Sequence, residues 1–215
     1  VIGDVLHIKQ EYFSTSASIL QWAKNHSCFN RKKTVIAIGG ESGSGKSVTA
    51  VCLQEVMARE GMRAGILHQD DYFFLPPQTN HARREDNISN VGVAEVNTLL
   101  LQQHINSFKQ EEKILEKPLV HYSQNTLLQE TLEIESWDVL IVEGTYALML
   151  DKVDLAIFME RTFRDTLENR KKRAREAFTP FIERVLEVEH SIISATAKRA
   201  DLLVQKDYSV KSTRE

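Results

Sequence analysis

Apolar positions along this chain recur with two different periods. Short aliphatic or β-branched runs at 34–38, 64–69, 139–142, 154–159 and 202–204 have no polar alternation and read as buried strands. Between them, apolar residues recur at helical spacing. The stretch 48–60 follows the first strand and ends at Gly61. The stretch 93–109 places Val96, Leu99, Leu100, Ile105 and Phe108 inside, and 181–196 places Ile182, Val185, Leu186, Ile192 and Ile193 inside. A basic helix is expected over 162–177. The first 26 residues predict a short strand or turn, then a helix with Ile19, Leu20, Trp22 and Ala23 on its apolar side and Ser14, Thr15 or Ser16 as its cap. Pro76 and Pro77 break the chain, and 75–89 reads as a polar, mobile connection. Segments 119–122 and 131–134 read as a small strand pair. Strands alternating with helices predict an α/β fold, with a mainly parallel five-stranded sheet and helices on both faces.

The first strand runs into Gly39-Gly40-Glu41-Ser42-Gly43-Ser44-Gly45-Lys46-Ser47, and a helix starts at once. This is the phosphate-binding loop pattern in its strand–loop–helix setting. Backbone N–H groups from Gly40 to Val48 are expected to cradle phosphate oxygens at the positive end of the helix. Lys46 supplies a point charge for the β and γ phosphates. Ser47 supplies a hydroxyl for Mg²⁺, which prefers oxygen ligands. A turn that only connected strand to helix would not need a lysine and a hydroxyl side by side.

In a parallel sheet of this kind, ligands sit at the carboxyl ends of the strands. Two acids fall there. Glu143 follows the run 139–142 and is expected to hold the metal, directly or through water. Asp70 follows the second strand and is the candidate base, a group that takes the proton from an attacking hydroxyl; it also stands near the metal. Asp71 competes with it, because adjacent residues of an extended segment point opposite ways.

Composition narrows the setting. The 215 residues are 42% hydrophobic and 27% charged, with net charge −3, which gives no global reason to expect nucleic acid or an anionic surface as partner. No apolar run approaches the ~20 residues that span a bilayer, and the first residues do not resemble a signal peptide. Cys28 and Cys52 form no disulfide pattern and fit a reducing cytoplasm.

The stretches G-G-E-S-G-S-G-K-S, H-Q-D-D-Y-F and V-L-I-V-E-G-T-Y-A-L, with the basic helix and the closing A-D-L-L-V, resemble the uridine kinase and phosphoribulokinase family of phosphate-loop kinases. The resemblance extends from about Thr34 to Val204. It implies ATP and Mg²⁺ as cofactors and a small-molecule hydroxyl as acceptor: a nucleoside such as uridine or cytidine, or a sugar-phosphate-like compound. It implies a kinase domain over 34–205 with a lid over about 161–178, preceded by a helical extension (1–33) and followed by a tail (206–215). Carried over by motif, Asp70 looks like the catalytic aspartate and Glu143 like the metal acid. Arg161, Arg164, Arg170 and Arg173 look like lid arginines that stabilise charge in transfer.

The acceptor segments depart from the family. Nucleoside kinases carry Asp-His-Pro-Asp where this chain has Asn90-Val91-Gly92-Val93, and a Tyr-Asp pair where it has His121-Tyr122. His121, Tyr122 and Tyr72 remain candidate acceptor contacts, with loop packing as the alternative for Tyr72. The departure weakens the uridine reading. It also opens an alternative, a regulatory ATPase that has lost the acceptor site. The basic run around Arg170 is read as lid rather than RNA contact, since no aromatics interleave it. Homo-oligomerisation stays open.

Overall fold

A computed structural model describes residue 2 and residues 6–167 and 179–214. Its centre is a six-stranded sheet. β1 (Thr34–Gly40) is buried throughout. Val35 and Ala37 face one core and Ile36 and Ile38 the other, so the run is apolar without alternation. β2 (Ala64–His68), β5 (Val139–Gly144), β6 (Leu155–Met159) and β7 (Leu202–Val204) complete the parallel part. The order β2-β5-β1-β6-β7, followed by a sixth strand at the edge, places β1 centrally. The sixth strand, β8 (Val210–Ser212), runs antiparallel to β7. It corrects the expected five strands and lies inside the expected tail. Three residues are too few to show a period, and the strand exists because the 205–209 turn closes on itself through Gln205 N–H to Ser209 O (2.8 Å).

Helices cover both faces. α1 (Gln10–Asn25) and α2 (Lys46–Arg59) bury Ile19, Leu20, Ala23, Leu53 and Met57 against one face. α1 therefore shares the central core. It starts after Lys9 with no side-chain cap, which corrects the expected cap at 14–16. Thr15 and Ser16 instead turn inward and donate to Tyr208 O (2.7 Å) and Thr49 O (3.4 Å). The opposite face holds α4 (Thr98–Lys109) and α5 (Pro180–Ser194). Asn97 caps α4 and Thr179 caps α5 through their side chains. With that start Leu99 is 70% exposed, correcting its expected burial, and Leu101, Ile105 and Phe108 point inward. Residues 93–95 form a separate 3-10 turn.

The expected mobile connection is also corrected. α3 (Pro77–Asp86) forms there, with Pro77 at its first position, where the missing N–H is harmless. The strand pair is longer than expected: β3 (Ile114–His121) pairs antiparallel with β4 (Thr126–Glu133). Of the basic lid, the described part reaches a turn over 163–166; Arg170 and Arg173 lie outside the described residues. Among the described residues no helix is long and apolar enough to cross a membrane.

Candidate active site

The register gathers the three sequence signals. Ile38 and His68 both lie opposite Glu143, and Gly39 lies opposite Gly144. The phosphate loop, the end of β2 and the end of β5 therefore share one sheet edge, although residues 40, 70 and 143 are far apart in sequence.

The loop 40–47 is glycine-rich for a steric reason. Gly40 has φ +146° and Gly45 +104°, where side chains are strained. A Cβ at Gly45 would also meet the Tyr12 ring at 2.8 Å. Lys46 Nζ donates to Glu41 O (2.9 Å) within the loop. Ser44 Oγ is fully buried and has no hydrogen-bond partner among the described residues, as befits a loop whose polar groups serve a ligand. Val48 packs beside Tyr12 and Cys52, so only its backbone faces the loop's task. The Glu41 carboxylate points away from the loop. It accepts from Phe163 N–H (2.6 Å) and meets His190 Nδ1 (2.6 Å), while Ser42 O accepts from Thr166 Oγ (2.9 Å). The loop and the 163–166 turn are thus tied together.

Ser47 Oγ donates to Glu143 Oε1 (3.1 Å), and His68 Nδ1 meets the same oxygen at 2.7 Å. Burial disfavours a charged His68, but the hydrogen bond to Glu143 and that residue's charge outweigh it and raise the His68 pKa. Among the described residues no cluster of three or more His, Cys, Asp or Glu forms a metal cage. Ser47 and Glu143 are two hard oxygen donors at a phosphate-binding helix start. That donor set fits Mg²⁺, which takes one or two protein oxygens and completes its shell with phosphate and water.

The acid pair separates. Asp71 is fully buried and accepts from Lys117 Nζ (2.8 Å) and Val120 N–H (2.9 Å), tying β3 to the end of β2. Asp70 is half-buried in a 3-10 turn at the sheet edge. Gln69, just before it, donates to Thr145 Oγ1 (3.0 Å) and accepts from Tyr146 N–H (2.8 Å), which fixes the Asp70 turn to the Glu143 turn. Tyr72 is 1% exposed and meets His104 Nδ1 at 2.8 Å, so the structure gives it core packing and not an acceptor face. His121 and Tyr122 directly follow Val120, near the acid turn, and are half-buried. Arg164 is exposed beside the Phe163 ring. Arg161 precedes the 163–166 turn and stacks 4.1 Å over the Tyr208 ring, so it faces the β7–β8 turn.

Sequence reasoning gave no role to His68 and Gln69, which the structure sets against Glu143 and the 145–146 turn; their position directly before Asp70 was the available signal.

The Phosphoribulokinase / Uridine kinase family model matches residues 35–211. The chain is 30% identical over 197 residues to a bifunctional alpha-galactosidase/sucrose kinase of Mediterraneibacter gnavus, covering 83% of this chain and 20% of that protein. It therefore spans about a fifth of that relative's length. It is 29% identical over 187 residues to a uridine kinase of Macrococcus caseolyticus, covering 80% of this chain and 88% of that protein. In fold it is similar to a phosphoribulokinase from Rhodobacter spheroides, with a TM-score of 0.63 at 14% identity over 81% of this chain and 70% of that one. The phosphate loop, Asp70 and Glu143 all fall within the matched residues, and the chain belongs to the phosphoribulokinase/uridine kinase family, whose members are hydroxyl-directed phosphotransferases.

Proposed function

We propose that this chain moves the γ-phosphoryl group of ATP to a hydroxyl of a small molecule, with Mg²⁺ bound at Ser47 and Glu143. The observation that carries this reading is the meeting of the phosphate loop, the Ser47–Glu143 pair and Asp70 at one sheet edge. A hydrolase needs no group set aside to orient an alcohol, whereas a kinase does.

In this reading the loop amides and Lys46 bind the triphosphate and hold its terminal phosphorus in place. Asp70 accepts the acceptor's hydroxyl proton, and that oxygen bonds to the γ phosphorus as the β–γ bridge bond breaks, releasing ADP. Bound Mg²⁺ supplies charge neutralisation of the phosphates. Arg164, with Arg170 and Arg173, contributes positive charge from the lid and excludes water, limiting hydrolysis of the nucleotide. The acceptor is a nucleoside such as uridine or cytidine, or a sugar-phosphate-like compound; the relatives' names include a uridine kinase and a sucrose kinase. His121 and Tyr122 are candidate contacts to it. The reducing cytoplasm is the proposed setting, in keeping with two free cysteines.

The altered 90–93 segment favours one second reading, a regulatory ATPase without an acceptor. Asp70→Asn decides between them. The kinase reading expects intact ATP binding and phosphotransfer lowered by about 10²-fold or more. Unchanged turnover in that variant would sink the assignment of Asp70, and an ATPase rate that no acceptor raises would favour the second reading.

A further inference from the structure

Resting on the kinase reading, we infer that His68 is a positioning residue for Mg²⁺ binding: it holds the Glu143 carboxylate in the pose that accepts the Ser47 proton.

The sheet brings the two side chains together. His68 and Glu143 are Cα partners at the last rung of the β2–β5 ladder. Residues two apart on a strand share a face. Ile66 and Ile141, two residues earlier on each strand, pack with Leu53 and Met57 of α2. His68 and Glu143 therefore continue the face that α2 covers, and Ser47 is the second residue of that helix. Strand and helix thus deliver one donor each to the buried Glu143. Both hydrogen bonds fall on the same oxygen, with Ser47 Oγ at 3.1 Å and His68 Nδ1 at 2.7 Å from Oε1. An ionised carboxylate only accepts, so Nδ1 carries the proton in that bond.

This arrangement suits a cation site. A hydroxyl that gives its proton to a carboxylate keeps its lone pairs for a metal, and a carboxylate held through one oxygen keeps the other. With Ser47 as its sole donor, the Glu143 side chain would be free to rotate away from that geometry. The imidazole of His68, anchored on the neighbouring strand, removes this freedom. Partners that orient a metal's ligands in this way typically account for about 10–100-fold in metal affinity.

The backbone of Glu143 is fixed separately. A Cβ at Gly144 would meet the Gln69 side chain at 2.3 Å, so Gln69 lies directly across the residue after Glu143, and it bonds to Thr145 Oγ1 and Tyr146 N–H. Gln69 sets where the strand end lies, and His68 sets where its carboxylate points. The role assigned to His68 is therefore specific to the metal and separable from the stability of the turn.

The test measures ATP binding to the full chain by calorimetry, with Mg²⁺ and with EDTA. Mg²⁺ should tighten ATP binding to the parent. In His68→Ala that tightening should shrink about 10-fold, while metal-free binding holds, because the loop amides and Lys46 are untouched. His68→Asn places its amide nitrogen where Nδ1 stands and should restore the Mg²⁺ effect. His68→Gln carries its nitrogen at the Nε2 position and should not. The Asn and Gln variants both keep a polar side chain beside Glu143, so their comparison decides the matter even where His68→Ala fails to fold. An unchanged Mg²⁺ effect in His68→Ala, equal effects in the Asn and Gln variants, or an equal loss of binding with and without Mg²⁺ would overturn this inference and leave the kinase reading standing. A parent chain whose ATP binding ignores Mg²⁺ would overturn the metal placement in that reading as well.

Discussion

Asp70 and Asp71 are adjacent and chemically identical, yet the fold gives them separate work. An extended segment entering a tight turn points successive side chains apart, so Asp71 goes to Lys117 and Val120 in the interior and Asp70 stays at the sheet edge. His104 shows the same dependence on surroundings. It is buried against the Tyr72 hydroxyl, and burial together with the Lys117 charge lowers its pKa. On acidification the unfolded chain takes up a proton that the folded chain resists. Its contribution to stability is therefore complete above the ordinary histidine value of about 6.5 and declines as the pH falls through that value towards the lowered one. Urea titrations from pH 7.5 to 5 should show a shallower loss of stability in His104→Gln than in the parent. Equal slopes would mean that His104 is not the group responsible. The His104 effect was not legible in the sequence, where this residue lies among helix positions of no evident role.

At the scale of elements, the β3–β4 hairpin is tied to the turn after β2 at Asp71, by the Val120 N–H and by the buried Lys117. Lys117 bridges Asp71 and Glu130, and its side chain is 3% exposed. Lys117→Met would leave the Asp71 charge buried without its cation, a loss expected to reach about 3–5 kcal/mol. Chemical denaturation should show that loss, and adding Asp71→Asn should recover part of it. A Lys117→Met protein as stable as the parent would show that the pair contributes nothing net. The helices and core strands were readable from periodicity, because 34–38 and 139–142 are apolar on both faces. α3 was not: prolines and polar residues concealed a helix held by Asn80 and Arg84 reaching Glu95, contacts that local sequence does not encode.

For the whole molecule, the question is whether the first helix is an appendage or part of the core. Ile19 and Ala23 are fully buried with Ile36, Ile38 and Leu53, and Tyr12 packs on the phosphate loop at Gly45. Ile19→Ala should lower stability by about 2–5 kcal/mol. A chain starting at residue 27 should lose its cooperative thermal transition, followed by circular dichroism. A truncated chain that melts as the parent does would mean that residues 1–33 form a separate extension.

The sequence by itself determined the donor half of the centre. A phosphate loop is local: its glycines, lysine and serine are contiguous, and the strand before and helix after complete its geometry. Acids that follow apolar strands are legible for the same reason, since a parallel sheet brings strand ends together whatever their order. Tertiary structure alone decided the rest. It separated Asp70 from Asp71, set His68 against Glu143, stitched Gln69 to the β5 turn and brought Arg84 to Glu95 and Glu189. Those contacts join residues on different elements, and their free energy comes from burial and pairing that exist only once the sheet has closed.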